Sequence, residues 1–304
     1  MLAGAGALVT VVGRDLDALS QTCAGAPEGS MSVIRADLAD QAGAQSVVDR
    51  ALAVADTWHI VVNCAGVAVT QPIGRIGPSD WRQAFAVNVD APFVICQGLA
   101  DSLVASGCGR IVNVSSHSGR RPQHGSAAYS ASKAALQMLT MSLATELGPY
   151  QVTANAICPT VFMSEMGQRL WNDPAVIAAK TDVIPAKRFG DVDEIAQLTL
   201  FLVSEHAAFI NGSIIGIDGG LFAGRPAPGR AEWPGRRDHR SSYPRSWPLA
   251  GSPAGMGSSI FRSGAPARCS PISPNSAPTA GAVLWVFSAA ASAHCSMNTK
   301  VSPV

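Results

Sequence analysis

Tyr129 and Lys133 stand four residues apart in Tyr129-Ser130-Ala131-Ser132-Lys133, and Ser116 lies thirteen residues before the tyrosine. On a helix, residues four apart share a face, so the phenol and the ammonium would point into the same space. There the cation would favour the phenolate and make Tyr129 a usable proton donor and acceptor near neutral pH. A hydroxyl at a strand end, Ser116, could hold a substrate oxygen beside it while that oxygen gains or loses a proton. Carbonyl/alcohol redox chemistry needs this arrangement. A Tyr-x-x-x-Lys pair alone is common on partly solvated helix faces, so the flanking elements must decide.

Upstream, Arg110-Ile111-Val112-Asn113-Val114 reads as a buried parallel strand, too apolar on both faces to be half wet, and it ends in Ser115-Ser116. Downstream, residues 131 to 147 carry apolar side chains at helical spacing (Ala135, Leu136, Leu139, Leu143, Leu147) and close on the stop signal Gly148-Pro149. Strand, loop and helix are the expected carrier of the three side chains.

With these elements in place, the chain resembles the short-chain dehydrogenase/reductase family over residues 3 to 221. Val61-Val62-Asn63-Cys64-Ala65-Gly66 is similar to the family's NNAG signature, with Cys64 in place of the second Asn. Asn88, in Phe85-Ala86-Val87-Asn88-Val89, matches the helix asparagine that the family uses to hold a water in a proton relay to the lysine. The resemblance therefore implies a catalytic tetrad of Asn88, Ser116, Tyr129 and Lys133. The segment Pro159-Thr160-Val161-Phe162-Met163-Ser164 resembles the one that touches the nicotinamide, and Gly212 to Gly220 resembles the last strand with its Asp-Gly-Gly ending. Within the family, Pro159 to Gln168 followed by Trp171-Asn172-Asp173-Pro174 is most similar to the L-xylulose reductase branch of tetrameric carbonyl reductases. There Trp171 would fall on a loop over the active site, as an aromatic wall against a small polyol or dicarbonyl or as an interface packing residue. His117, directly after Ser116, would line the substrate side of the pocket or simply pack.

The expected fold is α/β, a doubly wound parallel sheet of the Rossmann type. Such a sheet opens with a strand, a Gly-rich turn and a helix whose N-terminus receives the pyrophosphate. Here Gly4-Ala5-Gly6 precedes the strand Ala7 to Val12, and that strand matches the family's second one. The first strand and its turn are thus expected to be lacking, which would leave a hole between the family's second and fourth strands and two unpaired edges. After the Ala7 to Val12 strand, Gly13-Arg14 favours NADP(H), since an arginine suits a 2′-phosphate; Asp15 can be read for NAD(H), which stays possible. Asp37-Leu38 resembles the family's adenine-contacting pair or is a plain turn, and Asn63, Ala65, Gly66, Tyr129, Lys133, Pro159, Phe162 and Ser164 complete the cofactor contacts that the resemblance implies.

The chain has 304 residues, 47% hydrophobic and 14% charged, enough for one sizeable core, and a net charge of +1 that gives no sign of nucleic-acid binding. That total hides a split. Residues 225 to 304 hold nine Lys/Arg against two Asp/Glu, and eleven of the twenty prolines. Two units are expected: a catalytic domain over residues 1 to 224, and a low-complexity tail over 225 to 304 that is disordered or the product of a shifted reading frame in GC-rich DNA. The apolar stretch Ala280 to Ala293, which includes Val283-Leu284-Trp285-Val286-Phe287, is too short to span a bilayer, so no membrane partner is expected. Seven cysteines without paired spacing fit a reduced, cytoplasmic setting, and six scattered histidines give no metal-ligand pattern. The expected function is NADP(H)-dependent interconversion of a carbonyl and an alcohol on a small ketose, polyol or dicarbonyl. The alternatives are a 3-oxoacyl-thioester reductase and an inactive truncated relative. The resemblance implies a homo-oligomer, a tetramer or a dimer.

Overall fold

The computed structural model describes residues 1–162, 173–224 and 281–286. Seven strands form one sheet: β1 (Leu8–Gly13), β2 (Met31–Arg35), β3 (Ile60–Asn63), β4 (Arg110–Val114), β5 (Thr153–Pro159), β6 (Ile214–Ile217) and β7 (Ala282–Val286). Every pairing is parallel, in the order β2-β1-β7-β3-β4-β5-β6. Parallel sheets need both faces covered, and the strand sequences comply, with β3 buried along its whole length and β1 and β4 nearly so.

The helices are α1 (Leu16–Cys23), α2 (Gln41–Val54), α3 (Pro78–Phe85), α4 (Ala91–Gly98), α5 (Ala100–Ala105), α6 (Ala127–Leu147), α7 (Pro174–Val183) and α8 (Val192–Leu202). One core joins the sheet to α2, α4 and α5 through Val47, Val48, Ile95, Leu99 and Leu103; the other joins it to α1 and α8 through Leu19 and Leu202. Among the described residues no helix is long and apolar enough to cross a membrane, and no group of side chains could hold a metal ion.

Three expectations are corrected here. The sheet has no hole, because β7 occupies the slot between β1 and β3. Leu8 to Val12 pair with Ala282 to Val286 on one edge, and Ile60 to Asn63 pair with Val283 to Val286 on the other. The run expected to belong to a tail without a packing pattern is a central strand. Its alternation explains the fit: Leu284 and Val286 enter one core, while Val283 and part of Trp285 enter the other. A run of β-branched, aromatic and leucine side chains suits a strand wet on neither face, and two open edges supply every backbone partner that it needs. Cys108 departs from the expected free thiols, being disulfide-bonded; Cys23, Cys64, Cys96 and Cys158 are free.

Candidate active site

The site is built where β4 gives way to α6. Ser116 follows the strand with extended backbone and caps the short turn His117–Gly119, its Oγ accepting the Ser118 amide at 3.1 Å. That turn lies directly on α6. A Cβ on Gly119 would stand 2.8 Å from the Lys133 carbonyl carbon and 2.9 Å from the Ala134 nitrogen, so only glycine allows the approach. Ser115 donates to the Lys133 carbonyl at 3.0 Å, and Gln137 Nε2 donates to Ser115 Oγ at 3.0 Å and to the Ser116 carbonyl at 3.1 Å. Gln137 thus bolts the loop to the helix, a role the sequence reading did not foresee. Its signal was present: a polar side chain on the face shared by Tyr129 and Lys133, continuing their spacing by four.

Asn88 sits in a π-helical turn, Ala86–Asp90, between α3 and α4. Such turns often mark functional positions. Its amide is fully engaged, with Oδ1 accepting from the Val67 amide at 2.8 Å and Nδ2 donating to the Val67 carbonyl at 3.0 Å and to Ser132 Oγ at 2.9 Å. The side chain therefore ties the loop after β3 to α6. Asn63 has a comparable task in the interior: Nδ2 donates to Asn113 Oδ1 at 2.8 Å, and Asn113 donates in turn to Thr140 at 2.9 Å.

Ser116, Tyr129 and Lys133 do converge, but their electrostatics differ from the expectation. The Lys133 Nζ donates to the Val114 carbonyl at 2.8 Å and stands 5.9 Å from the centre of the Tyr129 ring. Burial raises the Tyr129 pKa, and the Ser116 hydroxyl beside the phenol acts the other way. The lysine does not offset that burial. Burial also brings Lys133 down to about 8, with Cys64 and Cys158 opposing the fall. The protein alone thus favours the protonated phenol of Tyr129.

A family model described as enoyl-(acyl carrier protein) reductase, one of the short-chain dehydrogenase models, matches residues 1–222. The chain belongs to the short-chain dehydrogenase/reductase family. It is 37% identical to the L-xylulose reductase of Bos taurus over 226 residues, which cover 73% of this chain and 89% of that one. It is 36% identical to the D-erythrulose reductase of Gallus gallus, covering 73% and 88% of the two chains. Among solved structures, a gluconate 5-dehydrogenase from Burkholderia cenocepacia J2315 in complex with NADP and tartrate superposes with a TM-score of 0.67 at 30% identity, covering 73% and 88%. A 4-hydroxyisoleucine dehydrogenase complexed with NADH gives 0.69 at 26%, covering 74% and 92%.

The family's nicotinamide dinucleotide fits this chain at its two ends. At the ribose end, Gly66 keeps open the space before Lys133, since a Cβ there would stand 3.3 Å from Nζ and 3.4 Å from Asn88 Oδ1. Beside it the amides of Cys64 and Ala65 are fixed by the Val286 carbonyl at 2.9 and 3.0 Å. At the adenosine end, Arg14 follows β1 and faces Asp37 at a loose 3.9 Å. Asp15 is committed as the cap of α1, accepting the amides of Asp17 and Ala18 at 3.0 and 3.2 Å. Leu38 is buried in the core, so only its backbone is left for an adenine. Asn63 likewise spends its amide nitrogen inside the protein. For the phosphates, no Gly-rich turn follows a strand and opens a helix among the described residues. Pro159 ends β5, and Phe162 is buried against Gly190. Ser164 and Trp171 lie outside the described residues. His117 is buried beside Ser116, its ring 4.1 Å from that of Phe222 between centroids.

Proposed function

We propose that the chain is an NADP(H)-linked reductase of a small polyhydroxylated ketone, running in either direction between ketone and alcohol. The convergence of Ser116, Tyr129 and Lys133 at the β4–α6 junction carries the reading. In it, Ser116 donates to the substrate carbonyl oxygen and fixes its position. Tyr129 gives that oxygen its proton during reduction and takes it back during oxidation. Lys133 holds the ribose and, as a cation, offsets the negative charge left on the phenol. Asn88 keeps the loop after β3 against α6, which sustains a path for protons toward Lys133. A bound nicotinamide dinucleotide supplies or accepts the hydride; everything else is done by these side chains. Arg14 supports the phosphorylated cofactor, because the acidic residue that would favour a free ribose hydroxyl, Asp15, is already occupied as a helix cap.

The names of the relatives favour small ketoses and polyols. The catalytic unit is then residues 1 to 224 completed by β7. Exposed Phe93 on α4 and Met138 on α6 supply apolar surface for a second copy, so the unit is expected to be a homo-oligomer, which light scattering would read directly. The enzymatic test compares L-xylulose, D-erythrulose and diacetyl with an acetoacetyl thioester, each with NADPH and NADH. Tyr129→Phe should lower turnover by about 10²- to 10⁴-fold, the span of a lost general acid, while NADPH binding and the melting temperature hold. Preference for the thioester, or a Phe variant that keeps most of its activity, would remove the proposal.

A further inference from the structure

Beside the catalytic serine lies a cavity of about 380 Å³. Ligand pockets commonly run from about 300 to 1,000 Å³, so this one suits a compact molecule. Its apolar wall is Val161, Val183, Ile184 and Leu221; its polar wall carries His117, Arg121, His124 and Lys180, and among the described residues no acidic side chain lines it. A neutral ketose has no use for four basic groups. Three further observations bear on what does.

His117 is 4% exposed, and neither ring nitrogen has a hydrogen-bond partner among the described residues. A buried imidazole left this way is costly, and an oxygen-bearing ligand in the cavity would satisfy it. Arg121 is close enough for its charge to act on His117, yet no hydrogen bond or ion pair among the described residues engages its guanidinium. Its neighbour Arg120 is committed elsewhere, donating to the Ile214 carbonyl at 2.7 Å and lying over the Phe222 ring. Asp218, the one acidic group acting on His117, is held in its own turn by the amides of Gly220 and Phe222 at 2.9 and 2.8 Å.

We propose that the substrate carries a carboxylate, making it a polyhydroxy keto acid and its hydroxy-acid partner, with Arg121 binding the carboxylate and His117 bonding a hydroxyl between it and the reacting carbon. Arg121 is then a specificity-determining residue. A planar guanidinium matches a carboxylate in two parallel bonds. This rests on the carbonyl-reductase reading for its choice of chemistry, though not for its binding geometry.

The full chain is therefore titrated calorimetrically with tartrate and with threitol, which share four carbons and two inner hydroxyls and differ in the charged ends. Tartrate should bind at least about tenfold more tightly, the worth of one charge-assisted hydrogen bond, and Arg121→Gln should remove most of that difference. Turnover gives the second arm. With NADPH, 5-ketogluconate should exceed L-xylulose in kcat/KM, and Arg121→Gln should raise KM for the acid alone. Equal binding of tartrate and threitol, or equal loss of both substrates in the variant, would overturn the carboxylate assignment. Tartrate selectivity that disappears in Arg121→Gln, without turnover of any ketone, would instead uphold the anion site and remove the reductase reading.

Discussion

The catalytic side of the sheet and its nucleotide side are assembled over very different distances along the chain. Ser116, Tyr129, Lys133 and Gln137 all come from one strand, loop and helix, and the bonds that align them run between Ser115, Ser116 and α6. The nucleotide side takes β1 and β3 from the first quarter of the chain, then places between them a strand whose first residue is Ala282. Local contacts form at little cost in loop closure, whereas a strand fetched from so far must be repaid by what it buries. The chemistry and the completeness of the sheet should therefore respond to different substitutions.

The largest effect should come from β7. Full burial of Val283, Leu284 and Val286 is worth roughly 1.5–3 kcal/mol for each side chain, and total stabilities of domains are of the order of 5–15 kcal/mol. A chain ending at residue 280 should accordingly lose its cooperative melt or drop in Tm by on the order of 10 °C or more. Leu284→Asp should do the same by placing an unpaired charge in the core. A variant lacking only residues 230 to 265, which keeps Cys269 and Cys295, should melt nearly as before, because closing a shorter loop changes the entropy by only about 1 kcal/mol, in the direction that favours the fold. If the chain ending at 280 melts like the full chain, β7 is not part of the sheet in solution.

On the catalytic side the sharpest lesion is Gly119→Ala. The new methyl would meet the α6 backbone at Lys133 and Ala134, which cannot swing aside as a side chain can. Overpacking of this kind typically costs 1–3 kcal/mol, about 2–4 °C of Tm for each kcal/mol. Activity should fall far more than stability, since the same shift moves Ser116 and Lys133 apart. A stable variant with full kcat would show that the junction tolerates more play than its packing suggests.

These two regions were also unequally legible. Strand, loop and helix around Tyr129 could be read from period and stop signals, because every residue of that unit lies within a short stretch. Ser116, Tyr129 and Lys133 lie on those elements, whereas Asn88, on the π-helical turn upstream, is implied by the resemblance alone. Gln137 escaped notice because its value comes from Ser115 and Ser116, partners that only the packed loop brings within reach. Val283 to Val286 reads in sequence as part of the low-complexity tail, in a stretch too short to be a membrane span. Its pairing to Leu8 and Ile60 is non-local, and nothing in a five-residue apolar run says which edges it will join. The same holds for Leu38: a Pro- and Gly-free turn after a strand gives no sign that the leucine faces the core. The electrostatics failed for a related reason. Spacing placed Lys133 near Tyr129, but burial, the first cause of the shift of each, is a property of the assembled site.

A smaller effect, confined to the nucleotide side, separates cofactor choice from catalysis. Arg14→Ala should weaken NADPH by about tenfold or more, as loss of a charge-assisted bond to a phosphate would, and leave NADH nearly unchanged. The arginine is half exposed and only loosely paired to Asp37, so its removal should leave the Tm within about 2 °C. Isothermal titration of both cofactors measures the ratio. Equal weakening of both would make Arg14 a support for the loop and would undo the argument from Asp15.

The smallest effect is a pH limb set by Lys133. Its pKa lies near 8 in the folded chain and at 10.5 as a free side chain, with burial as the first cause. A lysine lowered in this way loses its proton early in the folded state. The charge that helps Tyr129 part with its proton is therefore present below about pH 8 and lost above it, so kcat/KM for reduction should fall as pH rises through 8. Stability moves in the opposite sense. Between about pH 8 and 10.5 the unfolded lysine binds a proton that the folded one does not, so this group's contribution favours the folded state increasingly as pH rises. The difference between the melts of the native chain and Lys133→Met isolates that contribution from the buried cysteines, whose raised values act with the opposite sign over an overlapping range. Lys133→Arg should keep its charge throughout and lose the activity limb, at whatever rate its bulkier head allows. An unchanged limb in the arginine variant would assign the titration to another group and leave Lys133 with positioning alone.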